Sequence, residues 1–304
     1  DLMFFAEPYL YISYVIPMVD EHVIEAVGMT RVVIRDGTVV ETGEPKIRSC
    51  PLAKRFANPV DPITSEAVAA NISSRIQRFG MCTRDRMVLD KETFVLFGAS
   101  ELMNTGLRTG TLDAAVIACD GAGTVIVRSP EMVQGIGGRM SGLVSTTPYP
   151  EVIARIEAEG GVVVNPDTAE MDALAGLAKA KEMGWTKTAV TIAGFQHKLA
   201  EEIREKYPEA LIIVVHTSSV SSLENAMRLA RAADLVFSCA SKYVREAAAS
   251  TALIQGGVGV PVFATSKAGK MLIMERLIET DQPLLVKNTH LPVSDMGSIP
   301  DPLI

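Results

Sequence analysis

Beyond Pro150 the sequence alternates short apolar, β-rich runs with helical patterns at a nearly constant interval, and this constrains the fold more than any other feature. The runs begin near Val162, Thr188, Leu211, Leu235, Val260 and Pro283, so successive starts lie 26, 23, 24, 25 and 23 residues apart. A short strand, a three-turn helix and two loops need that much chain. The strands are continuously apolar, as strands covered on both faces are. The expectation is an α/β fold: a doubly wound, mostly parallel, Rossmann-like sheet over residues 149–304. Capping-box spacing at Asp167/Glu170 and Ser221/Glu224 marks two of the crossover helices.

Residues 1–148 are less regular and are expected to form an α+β lobe. Arg31 to Glu41 is a β-hairpin with Asp36-Gly37 as its turn. Val68, Ile72, Ile76 and Phe79 share one face of a helix that stops at Gly80, and a second helix runs from about Ala99 to Arg108. Ala114–Ala118 and Val125–Arg128 are strands joined across CDGAGT. Pro130 to Pro150, rich in Gly, Ser and Thr, is expected to be a long loop or hinge.

Composition removes several function classes. The 304 residues are 48% hydrophobic and carry a net charge of −7, so no global charge draws the chain to nucleic acid or an anionic membrane. Four scattered cysteines are not a disulfide framework, and a reducing cytoplasm is expected. The first 19 residues are apolar and aromatic, but Glu7, Pro8 and Pro17 interrupt them, which fits neither a signal peptide nor a membrane span. Such a segment is expected to pack on the body or on a partner subunit of a homo-oligomer. GxGxxG after a strand, GxxxxGK[ST], HExxH, GxSxG and CxxC are all missing.

Position therefore carries the functional reading, because ligands of such sheets bind outside the carboxyl ends of the strands. That rim is expected to collect Asn165, His197, His216, Cys239, Lys242, Lys267 and His290. Ser241-Lys242 and Ser266-Lys267 open helices in a manner that suits a carboxylate or phosphate, although hydroxyls there are equally N-caps. Gly121 and Gly123 in CDGAGT, and Gly137 and Gly138 beside Arg139, can turn backbone N–H groups onto an anion; tight turns explain them as well. Cys119 and Cys239 are candidate catalytic, redox or metal-ligating thiols, with Asp120 as a general base. Cys50, Cys82, Cys119 and Cys239 together are a candidate ligand set for an iron–sulfur cluster or other thiolate-bound metal, despite separations of 32, 37 and 120 residues that match no standard spacing.

Several stretches carry a family resemblance: DEHVIEAVGMTRVVIRDGTVVETGEP (20–45), FGMCT, AAVIACDGAGTVIV, VQGIGGRMSGL, VVHTSSVS and CASKYVRE. Together they resemble the methanogenesis marker protein 8 family, from about Asp20 nearly to the C-terminus. The resemblance implies a cytoplasmic archaeal protein tied to methane formation, in assembling, modifying or activating methyl-coenzyme M reductase or its nickel tetrapyrrole. It transfers no catalytic residues. Two functional classes follow: an accessory or maturation protein binding an anionic small molecule or metal centre at the rim, and a noncatalytic assembly protein binding a partner.

Overall fold

The computed structural model describes residues 20–295 and 297–304; the aromatic opening segment lies outside them. Strand β1 (Glu21–Ala26) pairs antiparallel with β2 (Thr30–Arg35), which turns into β3 (Thr38–Thr42). Asp36 and Gly37 take φ of +48° and +66°, the left-handed pair that a two-residue hairpin turn demands. Helix α1 (Ser65–Phe79) starts where the Thr64 hydroxyl accepts the Ala67 N–H at 3.2 Å, and stops at left-handed Gly80. Helix α2 (Ala99–Thr109) follows, then the hairpin of β4 (Ala114–Cys119) and β5 (Gly123–Val127).

The remainder runs α3 (Pro130–Gly137), β6 (Gly142–Ser145), α4 (Pro150–Ala158), β7 (Val162–Val163), α5 (Ala173–Glu182), β8 (Thr188–Ala193) and α6 (His197–Lys206). It continues with β9 (Leu211–Val215), α7 (Leu223–Ala232), β10 (Leu235–Phe237), α8 (Lys242–Thr251), β11 (Ile254–Gly256), β12 (Val262–Ala264) and α9 (Lys267–Glu279). Two sheets result, a four-stranded one ordered β3-β2-β1-β6 and an eight-stranded one ordered β11-β12-β10-β9-β8-β4-β5-β7.

The α/β architecture agrees with the 23–26-residue interval. Strands β4, β8, β9 and β10 form a parallel block crossed in one direction, with antiparallel strands added on both flanks. Alternate side chains feed two cores. Ile117, Ile213 and Leu235 meet Leu102, Met132, Ile136, Val152 and Leu272 of α2, α3, α4 and α9. Val116, Val214 and Val236 meet Leu177, Ile203, Leu229 and Ala248 of α5 to α8. Each fully buried aliphatic side chain contributes about 1.5–3 kcal/mol, so the sandwich of helices on both faces is where most stabilisation lies.

The structure departs from the sequence expectations in five places. Residues 130–150 are not a loop: Ser129 caps α3 through the Met132 N–H, Pro130 occupies its first turn, and Gly142 begins β6. The glycines that suggested flexibility permit packing, since a Cβ at Gly135 would stand 2.4 Å from the Val88 carbonyl oxygen. Pro283–Lys287 forms no strand; β11 closes that edge, and Leu285 and Val286 are 90% and 83% exposed. The run near Val260 yields β12, but it is antiparallel to β10. The caps of α5 and α7 are Asp172 and Ser222, rather than Asp167 and Ser221. Finally, the expected division at 148/149 is crossed by the large sheet, which takes β4 and β5 from before it.

Candidate functional site

Parallel strands deliver their C-terminal ends to one edge, and here the ends of β9 and β10 are also covered by the small sheet. Leu235 and Val236 pair with Ile213 and Val214, so the same register carries His216 beside Ser238 and next to Cys239. The following loops are tied together: the Thr217 hydroxyl donates to the Phe237 carbonyl at 2.5 Å, and the Ala240 N–H donates to the Ser218 hydroxyl at 3.1 Å. From the small sheet, Glu25 Oε1 stands 3.8 Å from His216 Nδ1. Its strand neighbour Gly142 lies against the imidazole, where a Cβ would come within 3.2 Å of two ring atoms.

Two residues at this edge are held in left-handed backbone that their side chains disfavour, His216 at φ +52° and Cys239 at φ +43°. Such residues cost about 1–3 kcal/mol each and persist only where the surroundings impose them. Part of the imposition comes from Arg245 of α8, whose Nη2 donates to the carbonyls of Cys239 at 3.0 Å and Gly259 at 2.8 Å. Arg245 is 6% exposed, and among the described residues its Nε and Nη1 have no partner and the buried hydroxyl of Ser238 has none either.

The electrostatics are those of groups removed from water. Burial lowers the His216 pKa even though 39% of its side-chain surface is exposed, so the ring is neutral near pH 7. Burial raises the Glu25 pKa, and Lys46 opposes that rise. The Cys239 thiol is pushed up by burial, with hydrogen bonding from Thr217 pulling the other way and Cys50 and Glu25 adding to the rise. Cys50 and Cys239 are both partly accessible.

Ser241 is the buried N-cap of α8, accepting the Val244 N–H at 3.2 Å. Lys242 at its first turn is exposed, with its Nζ 5.2 Å above the Tyr243 ring. His197 opens α6 after β8 and Asn165 follows β7, so both belong to this edge. Ser266 and Lys267 do not, because antiparallel β12 ends at the opposite edge, where the Ser266 hydroxyl bonds Asp234 at 2.5 Å. His290 lies in an exposed irregular stretch.

Cys119 and Asp120 end β4 at the same edge but belong to a different, buried cluster. Asp120 accepts from Arg86 Nε at 2.8 and 3.0 Å and from the Cys82 N–H at 2.5 Å. Burial opposes the Asp120 charge, but Arg86 and that N–H outweigh it and hold the carboxyl below its usual range. A fully paired carboxylate of this kind is a poor base, and Asp120 is a structural counter-ion for Arg86 rather than a proton acceptor. The remaining Arg86 donors bond the carbonyls of Met87, Gly135 and Ile136. Beside it, His22 Nε2 lies 2.9 Å from the Tyr149 hydroxyl and 3.1 Å from Asp20, while Nδ1 lies 2.6 Å from the Thr146 hydroxyl.

The glycine-rich segments also have packing roles. Gly121 (φ +82°) and Gly123 (φ +71°) make the β4–β5 turn, and a Cβ at Gly123 would strike Ala169. Gly137 ends α3 and Gly138 follows it. Arg139 is buried between the rings of Phe79 and Phe94, with Nε 2.6 Å from Asp90, and so is already neutralised.

The four cysteines separate electrostatically into two couples, Cys82 with Cys119 and Cys50 with Cys239. Burial raises the buried Cys82 and Cys119 thiols, and Asp120 raises them further. Among the described residues no three His, Cys, Asp or Glu side chains are disposed to hold a metal ion, and no ligand set for a metal or iron–sulfur centre is assigned. Sequence reasoning missed Glu25, Ser238 and Arg245. Only Arg245 left a trace, a charge on a helix face otherwise made of Val244 and Ala248, both buried.

Among the described residues no helix is long and apolar enough to cross a membrane. No solved structure matches the chain. An uncharacterised protein of Methanocaldococcus jannaschii is 40% identical over 286 residues, which cover 94% of this chain and 100% of that protein. A family model described as an uncharacterised protein conserved in archaea matches residues 22–278, and the chain belongs to that archaeal family, DUF2099.

Proposed function

We propose that this chain is a methanogenesis-associated accessory protein that binds an anionic small molecule at the junction of the two sheets, beside His216, Cys239 and Arg245. The observation that carries the reading is the Arg245 guanidinium, buried with two of its three nitrogens unpartnered among the described residues and its third on the carbonyl of Cys239, which follows the equally unpartnered Ser238 hydroxyl. A buried charge without a counter-charge costs several kcal/mol, and an anion seated against the 238–241 loop supplies the missing acceptors. Exposed Lys242, at the first turn of the same helix, adds positive charge. The place in methane formation rests on the resemblance to the methanogenesis marker protein 8 family, which implies action on methyl-coenzyme M reductase or its cofactor.

The test is thermal unfolding with inorganic phosphate, dicarboxylates and phosphorylated metabolites. A concentration-dependent rise in Tm is expected in the wild type and in Arg139→Ala, and none in Arg245→Met. Equal shifts in Arg245→Met, or no shift with any anion, would overturn the assignment.

An assembly role without catalysis is favoured by one separate observation. Ile278 on α9 is 80% exposed and is followed by exposed Leu285 and Val286, an apolar surface of the kind partners cover. Loss of co-purification with methyl-coenzyme M reductase on Leu285→Asp with Val286→Asp is its expected signature.

A further inference from the structure

We propose that Cys239 is a nucleophilic thiol, with His216 as its general base and Glu25 positioning the imidazole, and that the site acts on an anionic substrate bearing an ester or thioester carbonyl. The substrate's charge rests on the anion reading above; the nucleophile does not.

The first support is backbone geometry. Strand β10 ends at Phe237, Cys239 takes φ +43°, Ser241 caps, and α8 begins at Lys242. A strand, a left-handed residue and a helix in immediate succession lift one side chain above the sheet edge, which is how hydrolases of this architecture present a nucleophile. Cysteine gains nothing locally from that conformation, and Arg245 and Ser218 hold the turn from outside.

The second support is the neighbouring strand. His216 follows β9, in register next to Cys239, and carries its own left-handed φ of +52°. Its Nδ1 faces Glu25 at 3.8 Å, and Nε2 has no partner among the described residues. A carboxylate on the Nδ1 side of the ring, here 3.8 Å away and so longer than a hydrogen bond, with Nε2 left to accept a proton, is the order of groups in a nucleophile, base and orienting acid. The neutral imidazole and the protonated thiol described above are the starting states this requires. The other ionisable groups around the pair are Cys50, Lys46 and Arg245.

The step balances without an oxidant. His216 takes the thiol proton as Sγ bonds the carbonyl carbon and the carbonyl electron pair moves to oxygen. Collapse breaks the bond to the alkoxide or thiolate leaving group, which receives the proton from His216, and the acyl group stays on Sγ. Water then adds to the thioester with His216 again as base, releasing a carboxylic acid and restoring the thiol. The Ser238 hydroxyl, unpartnered among the described residues, is the donor left for the developing oxyanion once the Arg245 nitrogens hold the substrate's anionic group.

The probe is 4-nitrophenyl acetate, with released nitrophenolate followed optically and the acetyl group located by peptide mass spectrometry. One equivalent of acetyl on Cys239 is expected, absent in Cys239→Ser. His216→Gln should slow it by about a hundredfold. Glu25→Gln should slow it less and displace the pH midpoint, which a purely structural loss of Glu25 does not do. Urea midpoints of the variants establish that they fold. Acetylation spread over Cys50 and lysines, or a His216→Gln protein reacting at the wild-type rate, would overturn the proposal. The anion reading fails separately: an Arg245-dependent phosphate shift in a protein whose Cys239 is inert removes the nucleophile alone, and a reactive Cys239 without that shift removes the anion site alone.

Discussion

Arg86 and Asp120 form an ion pair at 2.8 Å in which neither side chain has any exposed surface. They join the segment after α1 to the end of β4, and every Arg86 donor nitrogen is bonded to Asp120 or to a backbone carbonyl. Removing one partner strands a buried charge. Asp120→Asn or Arg86→Met alone is therefore expected to cost about 3–5 kcal/mol in urea unfolding, and the double variant less than the sum of the two. Additive losses would show that the two groups do not act as a pair.

His22 makes stability depend on mild acid. Burial lowers its pKa, against the opposing effects of Asp120 and Asp20. A base with a depressed folded-state pKa stabilises the fold fully above its unfolded value of about 6.5, and the contribution is lost as pH falls through the lower folded value. Unfolding free energy should decline below about pH 6.5. The decline should be shallower in His22→Gln, with His216, also lowered by burial, supplying the remaining slope. A profile identical in the two proteins would refute the role of His22.

Gly142 is expected to control the orientation of His216 with little effect on folding. An alanine Cβ there meets the ring at 3.2 Å and the Glu25 carbonyl oxygen at 3.3 Å, and the half-open ring can move aside. Gly142→Ala should change stability by less than about 1 kcal/mol while shifting the His216 ring resonances and slowing acetylation of Cys239. Unaltered resonances would place the ring elsewhere.

Gly135 gives the opposite contrast within the same glycine-rich stretch. Its added Cβ would meet the backbone of Val88 and Leu89 at 2.4 to 2.6 Å, and neither can give way cheaply. Gly135→Ala should cost about 1–3 kcal/mol of stability by overpacking and leave the phosphate-induced Tm shift intact. Loss of the shift without loss of stability would return this segment to anion binding.

The candidate site shows where local reading reaches its limit. Cys239, His216 and Ser241 were legible because each immediately follows a strand or opens a helix, and strand ends can be counted along the chain. Glu25 was not, since it lies on a hairpin strand nearly two hundred residues away and reaches His216 only because β1 pairs with β6 above the rim. Arg139 looked free because charge is visible in a sequence and neutralisation is not; Asp90, Phe79 and Phe94 approach it only in the folded chain. Lys267 was assigned to the wrong edge for a related reason, as apolar residues do not record whether a strand runs with or against its neighbour.

The amino-acid sequence by itself determined the alternation of strands and helices, the turn at Asp36-Gly37 and the two-sided burial of the central strands, because periodicity and turn chemistry act over a few residues. Tertiary structure alone decided which thiols are accessible, which carboxylates are already paired and which imidazole meets a free acid. Those properties depend on the distance and dielectric between groups far apart in the chain, and such separations exist only once the sheets have packed.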